Sequence, residues 1–525
     1  MTAAISRLRD GVAAAGRRIA LGPPGTVVDV AIPLLASPLL LFPRGFLPIA
    51  GLAAIAGLWV ARWIVWRTPL PANPLGLPML LILVMAAQSL YPSVDLSLSL
   101  PKLYGIVLGV AIYFGVANGV RSPRWWWAAV AAMMISAVGV AGVGLVSTSW
   151  LDKLPGSAAV YSRIPHLISS IPSSFGTIAG IHPNELGGTL AFLLPIPLGV
   201  LLWSIGRCRG GSGPAPTTVG VTDRAAGHRA LPYVAVASLL TAGPVLALTY
   251  SRSSLIGFAA AVVVLLAVRW RRFGYLLAGL LVVGAIAFAA IGPQRVYDRV
   301  VQLDQGSQNG GSSLVSRPEV WNRASYMIQD FPFTGIGLNT FPIVLDNLYP
   351  SFLAGPDARI PHAHNIYLQT AVDLGLAGLM AFVGLWLIVA REAAQAFRRA
   401  RDGPMRGAIA GLAAGCLAYL VYGLTDAITL GAKPLVLLWA MVGLIVVANR
   451  ELATTTSSLE REEGENSICG DTPHPARRGP AAPSGLPRLL REAWQTLAWL
   501  YWVIAILFAA MAYLVVILAA TGWTP

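Results

Sequence analysis

Apolar runs of about twenty residues recur along most of this chain, each long enough to cross the hydrocarbon core of a bilayer as one helix. With 56% hydrophobic and 11% charged residues in 525, the composition selects the same class, an all-α polytopic membrane protein, and excludes a soluble domain. Apolar windows predict about thirteen spans, near 26–42, 46–66, 76–91, 101–120, 125–149, 184–205, 231–249, 253–268, 274–292, 366–390, 406–426, 433–449 and 493–520. Pro33 and Pro38 interrupt the first of these. Without it, however, the N-terminal Arg7, Arg9, Arg17 and Arg18 would fall on the wrong side.

The net charge of +14 could indicate nucleic acid, but basic residues flanking membrane spans ordinarily report topology. With the N-terminus cytoplasmic, alternate loops carry Arg207 and Arg209, then Arg269, Arg271 and Arg272, then Arg391, Arg398, Arg399 and Arg401, all inside. No small-residue cleavage site closely follows an apolar core, so the first apolar run is expected to be a span and not a cleaved signal. Cys208, Cys416 and Cys469 are too scattered for a disulfide framework or a thiolate metal site. The expected organisation is N-terminal spans over 1–292, an extracytoplasmic segment over 293–363, and further spans over 364–449. A polar, disordered cytoplasmic linker over 450–492 and a last span within 493–525 follow.

Few cations remain on the outer face, so those that do need a reason beyond topology. The long outer segment, about Gly292 to Pro361, holds Ser316-Arg317-Pro318-Glu319, a capping-box pattern, followed by Val320, Trp321, Ala324, Met327 and Ile328 at helical spacing. An amphipathic helix is therefore expected to start at Arg317. A first-turn arginine is repelled by the helix dipole by about 0.3–1 kcal/mol, and a bound anion such as a phosphate would reverse that sign. A solvated surface arginine is the competing reading. Gly335-Ile336-Gly337 lacks the preceding strand of a nucleotide loop and is expected to form a turn. Arg252, in Tyr250-Ser251-Arg252-Ser253, lies at the outer end of a span, where snorkelling to headgroups is the ordinary role.

His362-Ala363-His364-Asn365 sits where this polar segment gives way to an apolar helix from Ile366 to Val389, on the same face as Arg252 and Arg317. The positive end of that helix favours a neutral imidazole at His364, which can accept a proton in general-base catalysis. Simple helix capping by His364 is the structural alternative. A His-x-His pair can also bind metal, but Asp357 is the one carboxylate nearby and no thiol accompanies it, so no metal is expected. Asn365, Asp426 and Lys433 join His362 as secondary candidates, although an ordinary loop salt bridge explains the last two equally well.

His364-Asn365, nine residues, then Gly375-Leu376-Ala377-Gly378 resembles the His-Asn-x9-Gly-x-x-Gly signature of the bacterial O-antigen ligase and polymerase family. The resemblance extends through Ser251-Arg252-Ser253, Arg317 with Trp321 and Ala324, Pro332-Phe333-Thr334-Gly335-Ile336-Gly337 and Phe341, over roughly residues 180–445. Two departures concern the subfamily: Asp373 stands where many members have glutamate, and Arg252 is one residue closer to its leucine, Leu255, than in some ligases.

The resemblance implies a metal-independent, inverting membrane glycosyltransferase of GT-C type without cofactors. It would act on undecaprenyl-diphosphate-linked glycan at the outer face of the bacterial inner membrane. His364 would deprotonate an acceptor hydroxyl while Arg252 and Arg317 hold the donor diphosphate. A ligase using a glycan or lipid acceptor, a polymerase and a protein O-oligosaccharyltransferase all remain open. A lipid-linked glycan flippase is the non-enzyme alternative, but it would need ionisable groups along a path through the spans, whereas the polar candidates cluster at one rim.

Overall fold

The computed structural model describes residues 27–66, 73–148, 150, 161–165, 167, 171–173, 176–178, 180–205, 230–292, 294–295, 313–351, 360–401 and 403–468. The four N-terminal arginines, the loop carrying Arg207, Arg209 and Cys208, Asp357, Cys469 and the expected last span at 493–520 lie outside these residues. Contacts divide the chain into two compact units. The unit formed by Met1–Leu281 and Ser307–Leu452 holds the core and the site below; in the other, Val282–Gly306 with Ala453–Pro525, the described residues are chiefly the ends of two helices.

Ten described helices are long and apolar enough to cross a membrane, and two shorter apolar ones accompany them. The shorter ones are α1 (Val27–Leu41) and α3 (Gly76–Gln88), on either side of α2 (Leu47–Trp66). α4 (Leu96–Gly119) and α5 (Pro123–Ser147) follow, then a two-stranded antiparallel ribbon of β1 (Ile171–Ser173) and β2 (Gly176–Ile178). The predicted span near 184–205 is built as α6 (Pro183–Leu193) and α7 (Pro195–Ser204), joined at Leu194. α8 (Leu231–Leu248), α9 (Arg252–Arg269) and α10 (Arg271–Ile291) come next, and the described residues between α10 and position 363 hold α11 (Ser313–Asp330) and α12 (Phe341–Leu348). α13 (Ile366–Arg399), α14 (Pro404–Tyr422) and α15 (Leu435–Ile468) complete the described bundle. α15 continues well beyond position 450, so the beginning of the expected 450–492 linker is helical.

Despite its two prolines, α1 is pinned to α2 by a buried ion pair. Arg62 Nε and Nη2 donate to Asp29 Oδ1 and Oδ2 at 3.0 and 2.8 Å. Small residues allow the closest approach at the centre: a Cβ on Gly411 would sit 2.6 Å from Pro195 O, and one on Gly415 2.2 Å from Phe192 O. α14 therefore packs backbone to backbone against α6 and α7, as small-residue stripes do in membranes. Leu35, Leu77, Leu240 and Met380, each about 70% exposed, face outward as lipid would require.

α11 begins at Ser313, a full turn before the expected Arg317, and takes Pro318 into its interior. Proline lacks only its own N–H, so the preceding turn forms at the cost of one helical hydrogen bond. Arg317 is therefore not in the first turn, and the dipole argument for an anion there does not apply. α13 breaks at Gly375, whose φ of 70° and ψ of 179° leave the helical region. The Pro332–Ile336 loop fits into this break: Leu376 N donates to Pro332 O at 2.8 Å and Ile336 N to Val372 O at 2.8 Å. Gly335 turns at φ 65° against the same segment, in the turn role expected for it.

Candidate functional site

Four residues just past α14, Gly423 to Asp426, gather the ends of the elements that carry the candidates. Gly423 O accepts from Ile366 N at 2.7 Å, and Leu424 O from Asn365 Nδ2 at 3.0 Å. Thr425 Oγ1 donates to Ser253 Oγ at 2.9 Å, tying in the first turn of α9. Asp426, only 2% exposed, closes the series. The starts of α9 and α13 are thereby fixed to one strip of chain.

Asp426 is the hub. Its Oδ1 faces His364 Nδ1 at 3.2 Å and accepts the Ala427 amide at 2.9 Å, with His362 Nε2 3.9 Å away. Oδ2 accepts from Asn184 Nδ2 at 2.8 Å and lies 3.8 Å from Arg317 Nη2. Burial alone would push this carboxyl up. The His364 hydrogen bond, the two imidazoles and the Arg317 guanidinium together outweigh it and hold Asp426 below the usual carboxylate range.

An ionised Asp426 can only accept hydrogen bonds, which fixes the tautomer of its neighbour. A neutral His364 must carry its proton on Nδ1, leaving the Nε2 lone pair for a reactant. His362 is oriented differently: its Nδ1 accepts the His364 amide at 3.2 Å, and the rings meet edge to face at 4.5 Å. Burial and the adjacent His364 lower the pKa of His362 against the opposing pull of Asp426, so it is held neutral.

Capping falls to Asn365 and not to His364. Asn365 Oδ1 accepts from Tyr367 N and Leu368 N, both at 3.0 Å, while its amide reaches Leu424. His364 stands outside the helix with φ 48°, a left-handed conformation that non-glycine residues adopt at a cost. Asp426, rather than the dipole of α13, is what orients the ring. Tyr250, two residues before Arg252, makes a similar turn at φ 47°.

The fold thus brings together His362, His364, Arg317 and Asp426, with Asn365 holding the turn. Arg252 is exposed at the first residue of α9, next to the Ser253 that bonds Thr425. Lys433 lies apart from the Asp426 contacts described, its ammonium 4.5 Å from the Phe42 ring centre. Burial lowers its pKa, and the Glu185 carboxylate opposes that.

Sequence reasoning ranked Asp426 second and missed Asn184, although His182-Pro183-Asn184-Glu185 places polar groups at the start of an apolar run. It also missed Gln369, buried in α13, whose Oε1 accepts Ala363 N at 2.7 Å and whose Nε2 donates to Asp373 at 2.8 Å. That chain braces the His-Ala-His turn from below.

His362, His364 and Asp426 offer ligand atoms within 4.8 Å of one another, a spacing that a metal ion could use. Two features oppose a cation there. Asp426 Oδ1 already accepts from Ala427 and faces His364, and Arg317 places a fixed positive charge beside the same carboxylate.

Residues 237–383 match a family model described as O-antigen ligase. The match takes in Arg252, Arg317 and the His362–Asn365 cluster and ends before Asp426. Among solved structures, a chain from "Structural coordination of polymerization and crosslinking by a peptidoglycan synthase complex" is 16% identical, with 72% of this chain and 97% of that chain covered. Its TM-score of 0.36 is too low to assign a shared fold. No curated protein matches.

Proposed function

We propose, for a membrane glycosyltransferase that carries an O-antigen ligase domain at residues 237–383, that it transfers glycan from undecaprenyl diphosphate to an acceptor hydroxyl at the outer face of the bacterial inner membrane. The supporting observation is the Asp426 hub, which couples an imidazole of defined tautomer to a buried guanidinium from a distant stretch of sequence. A bilayer-embedded, GT-C type architecture suits a substrate whose polyprenyl tail stays in lipid.

In this reading, His364 Nε2 takes the proton of the acceptor hydroxyl as its oxygen attacks the anomeric carbon. The bond from that carbon to the diphosphate oxygen breaks, and its electron pair leaves with the polyprenyl diphosphate. Direct displacement inverts the anomeric configuration. Asp426 keeps the imidazole in register and stabilises the imidazolium that forms. Arg317 and Arg252 hold the diphosphate, where charge grows in the transition state. Asn365 sets the turn that presents His364. No metal enters this scheme.

A direct test incubates purified protein with carrier-linked glycan and separate carrier, lipid-core and protein acceptors without added metal. Release of polyprenyl diphosphate is expected, and His364→Ala should abolish it while size-exclusion behaviour and melting temperature hold. Normal turnover by that variant removes His364 as the base. The acceptor that becomes glycosylated distinguishes ligase, polymerase and protein transferase; the His-Asn signature favours the ligase.

A further inference from the structure

Three helices that begin or end at the catalytic strip have their other ends in a second polar cluster. α9 runs from the turn that holds Ser253 to Arg269, α13 from Asn365 to Arg399, and α14 from Pro404 back to Gly423. The eighteen residues of α9 and the nineteen of α14 span about 28 Å, close to the hydrocarbon thickness of a bilayer, while α13, with 34 residues, is broken at Gly375. The second cluster therefore stands at headgroup level in the opposite leaflet.

Its centre is an edge-to-face aromatic pair, Trp203 of α7 and Phe397 of α13, with ring centres 6.2 Å apart and planes at 89°. Each ring carries an arginine. Arg269 lies over Trp203, with Cζ 5.6 Å from the ring centre, and donates from Nε to Leu202 O at 3.3 Å. Arg406 lies over Phe397 at 4.3 Å. Gly407 packs against Trp203, where a Cβ would come within 2.8 Å of the Trp203 Cβ, so Arg406 is held beside the pair.

Neither arginine forms an ion pair with a carboxylate among the described residues, unlike Arg62 with Asp29. Arg406 Nε is buried and meets no acceptor there. Arg406 also lies in the first turn of α14, and Gly403, the residue that precedes this helix, offers no side-chain cap. A cation at that position opposes the helix dipole, and the first-turn amides call for acceptors. Stacked guanidinium groups keep their N–H edges available for the oxygens of a phosphate. Val268 and Trp270, nearly half exposed on either side of Arg269, offer apolar surface that a soluble anion would not use and an acyl chain would.

We propose that Arg269 and Arg406, mounted on the Trp203–Phe397 pair, bind the phosphate headgroup of an anionic phospholipid in the leaflet opposite the catalytic site. Such a lipid would brace the far ends of the helices whose outer ends are joined at Gly423–Asp426.

The test titrates the full chain in detergent with phosphatidylglycerol, phosphatidylethanolamine or inorganic phosphate, reading bound lipid by native mass spectrometry and melting temperature in parallel. Phosphatidylglycerol should bind saturably and raise the melting temperature. An Arg269→Gln/Arg406→Gln double variant should bind it about tenfold more weakly or worse. An Arg398→Gln/Arg401→Gln double variant, which removes two exposed arginines nearby, should stay within about twofold of wild type. Should the first variant fail to fold, Arg406→Lys, which keeps the charge and loses the fork, should still bind several-fold more weakly. Equal losses in the two double variants, or undiminished binding by Arg406→Lys, overturn the site. A full shift produced by inorganic phosphate alone, or equal binding of phosphatidylethanolamine, overturns its assignment to an anionic lipid.

Discussion

Asp426→Asn preserves the shape of the hub and removes its charge, and the surrounding contacts dictate how the new amide must sit. The Ala427 amide donates to Oδ1 at 2.9 Å, so the surviving oxygen has to remain at that end. The new NH2 then occupies the Oδ2 position, 3.8 Å from the Arg317 Nη2 donor, and Asn184 must turn its amide over to present an oxygen in place of Nδ2. His364 keeps an acceptor, but a neutral one. Hydrogen bonds to charged groups contribute about 1.5–3 kcal/mol against about 0.5–1.5 for neutral ones, so this change costs the imidazolium-bearing transition state about 1–1.5 kcal/mol. Losing the charge that faces Arg317 at 3.8 Å, an ion pair too long for a hydrogen bond, removes a Coulomb interaction of about 1–4 kcal/mol. Together these predict a fall in turnover of about thirtyfold or more. Polyprenyl diphosphate release, normalised to protein that is monodisperse and melts cooperatively, measures this. His364→Ala, which leaves the contact between Arg317 and Asp426 intact, is the companion variant. Turnover by folded Asp426→Asn within about threefold of wild type would refute the reasoning, because one charged hydrogen bond alone is worth more than that.

Other residues give further tests. His362 has its pKa lowered from 6.5 to about 3, first by burial and then by His364, so the folded chain resists a proton that the unfolded chain accepts. Stability should therefore be complete above pH 6.5 and erode as pH falls from there toward 3; His362→Gln should flatten that dependence in thermal melts taken from pH 7 to 4. Asn365→Ala removes the acceptor for two α13 amides and should cost about 1–2 kcal/mol of stability, with turnover lost as the His364 turn loosens. Asn365→Asp keeps the cap but sets a carboxylate oxygen against Leu424 O in place of the amide donor, so it should recover the melting temperature only in part. Gly375→Ala places a methyl 2.6 Å from Phe333 O at φ 70° and should destabilise by about 2 kcal/mol or more, measurable by chemical denaturation.

The transmembrane architecture was legible because lipid imposes its own length and polarity on each helix. Every predicted span within the described residues corresponds to a helix or, at 184–205, to a pair, and even the proline-interrupted α1 forms. The start of α11 was misplaced because Ser316 and Pro318 imitate a helix beginning, while the preceding Ser313-Leu314-Val315 carries no comparable signal. The site was legible in part. His364, Arg317 and Arg252 announced themselves as polar groups at one rim of an apolar chain. Asp426 and Asn184 did not, because their importance comes from the packing of four helix ends around one strip of backbone, and that packing has no local signature.

The proposed transfer requires above all a shared donor pocket at Arg317, His364 and Asp426. The most direct measurement is a structure of the chain in a lipid disc with a non-hydrolysable polyprenyl-diphosphate sugar bound. The diphosphate oxygens should lie within about 3 Å of the Arg317 guanidinium, with Arg252 on the same group and the anomeric carbon on the Nε2 side of His364. A diphosphate bound elsewhere, with His364 Nε2 out of reach of the anomeric carbon, would contradict it.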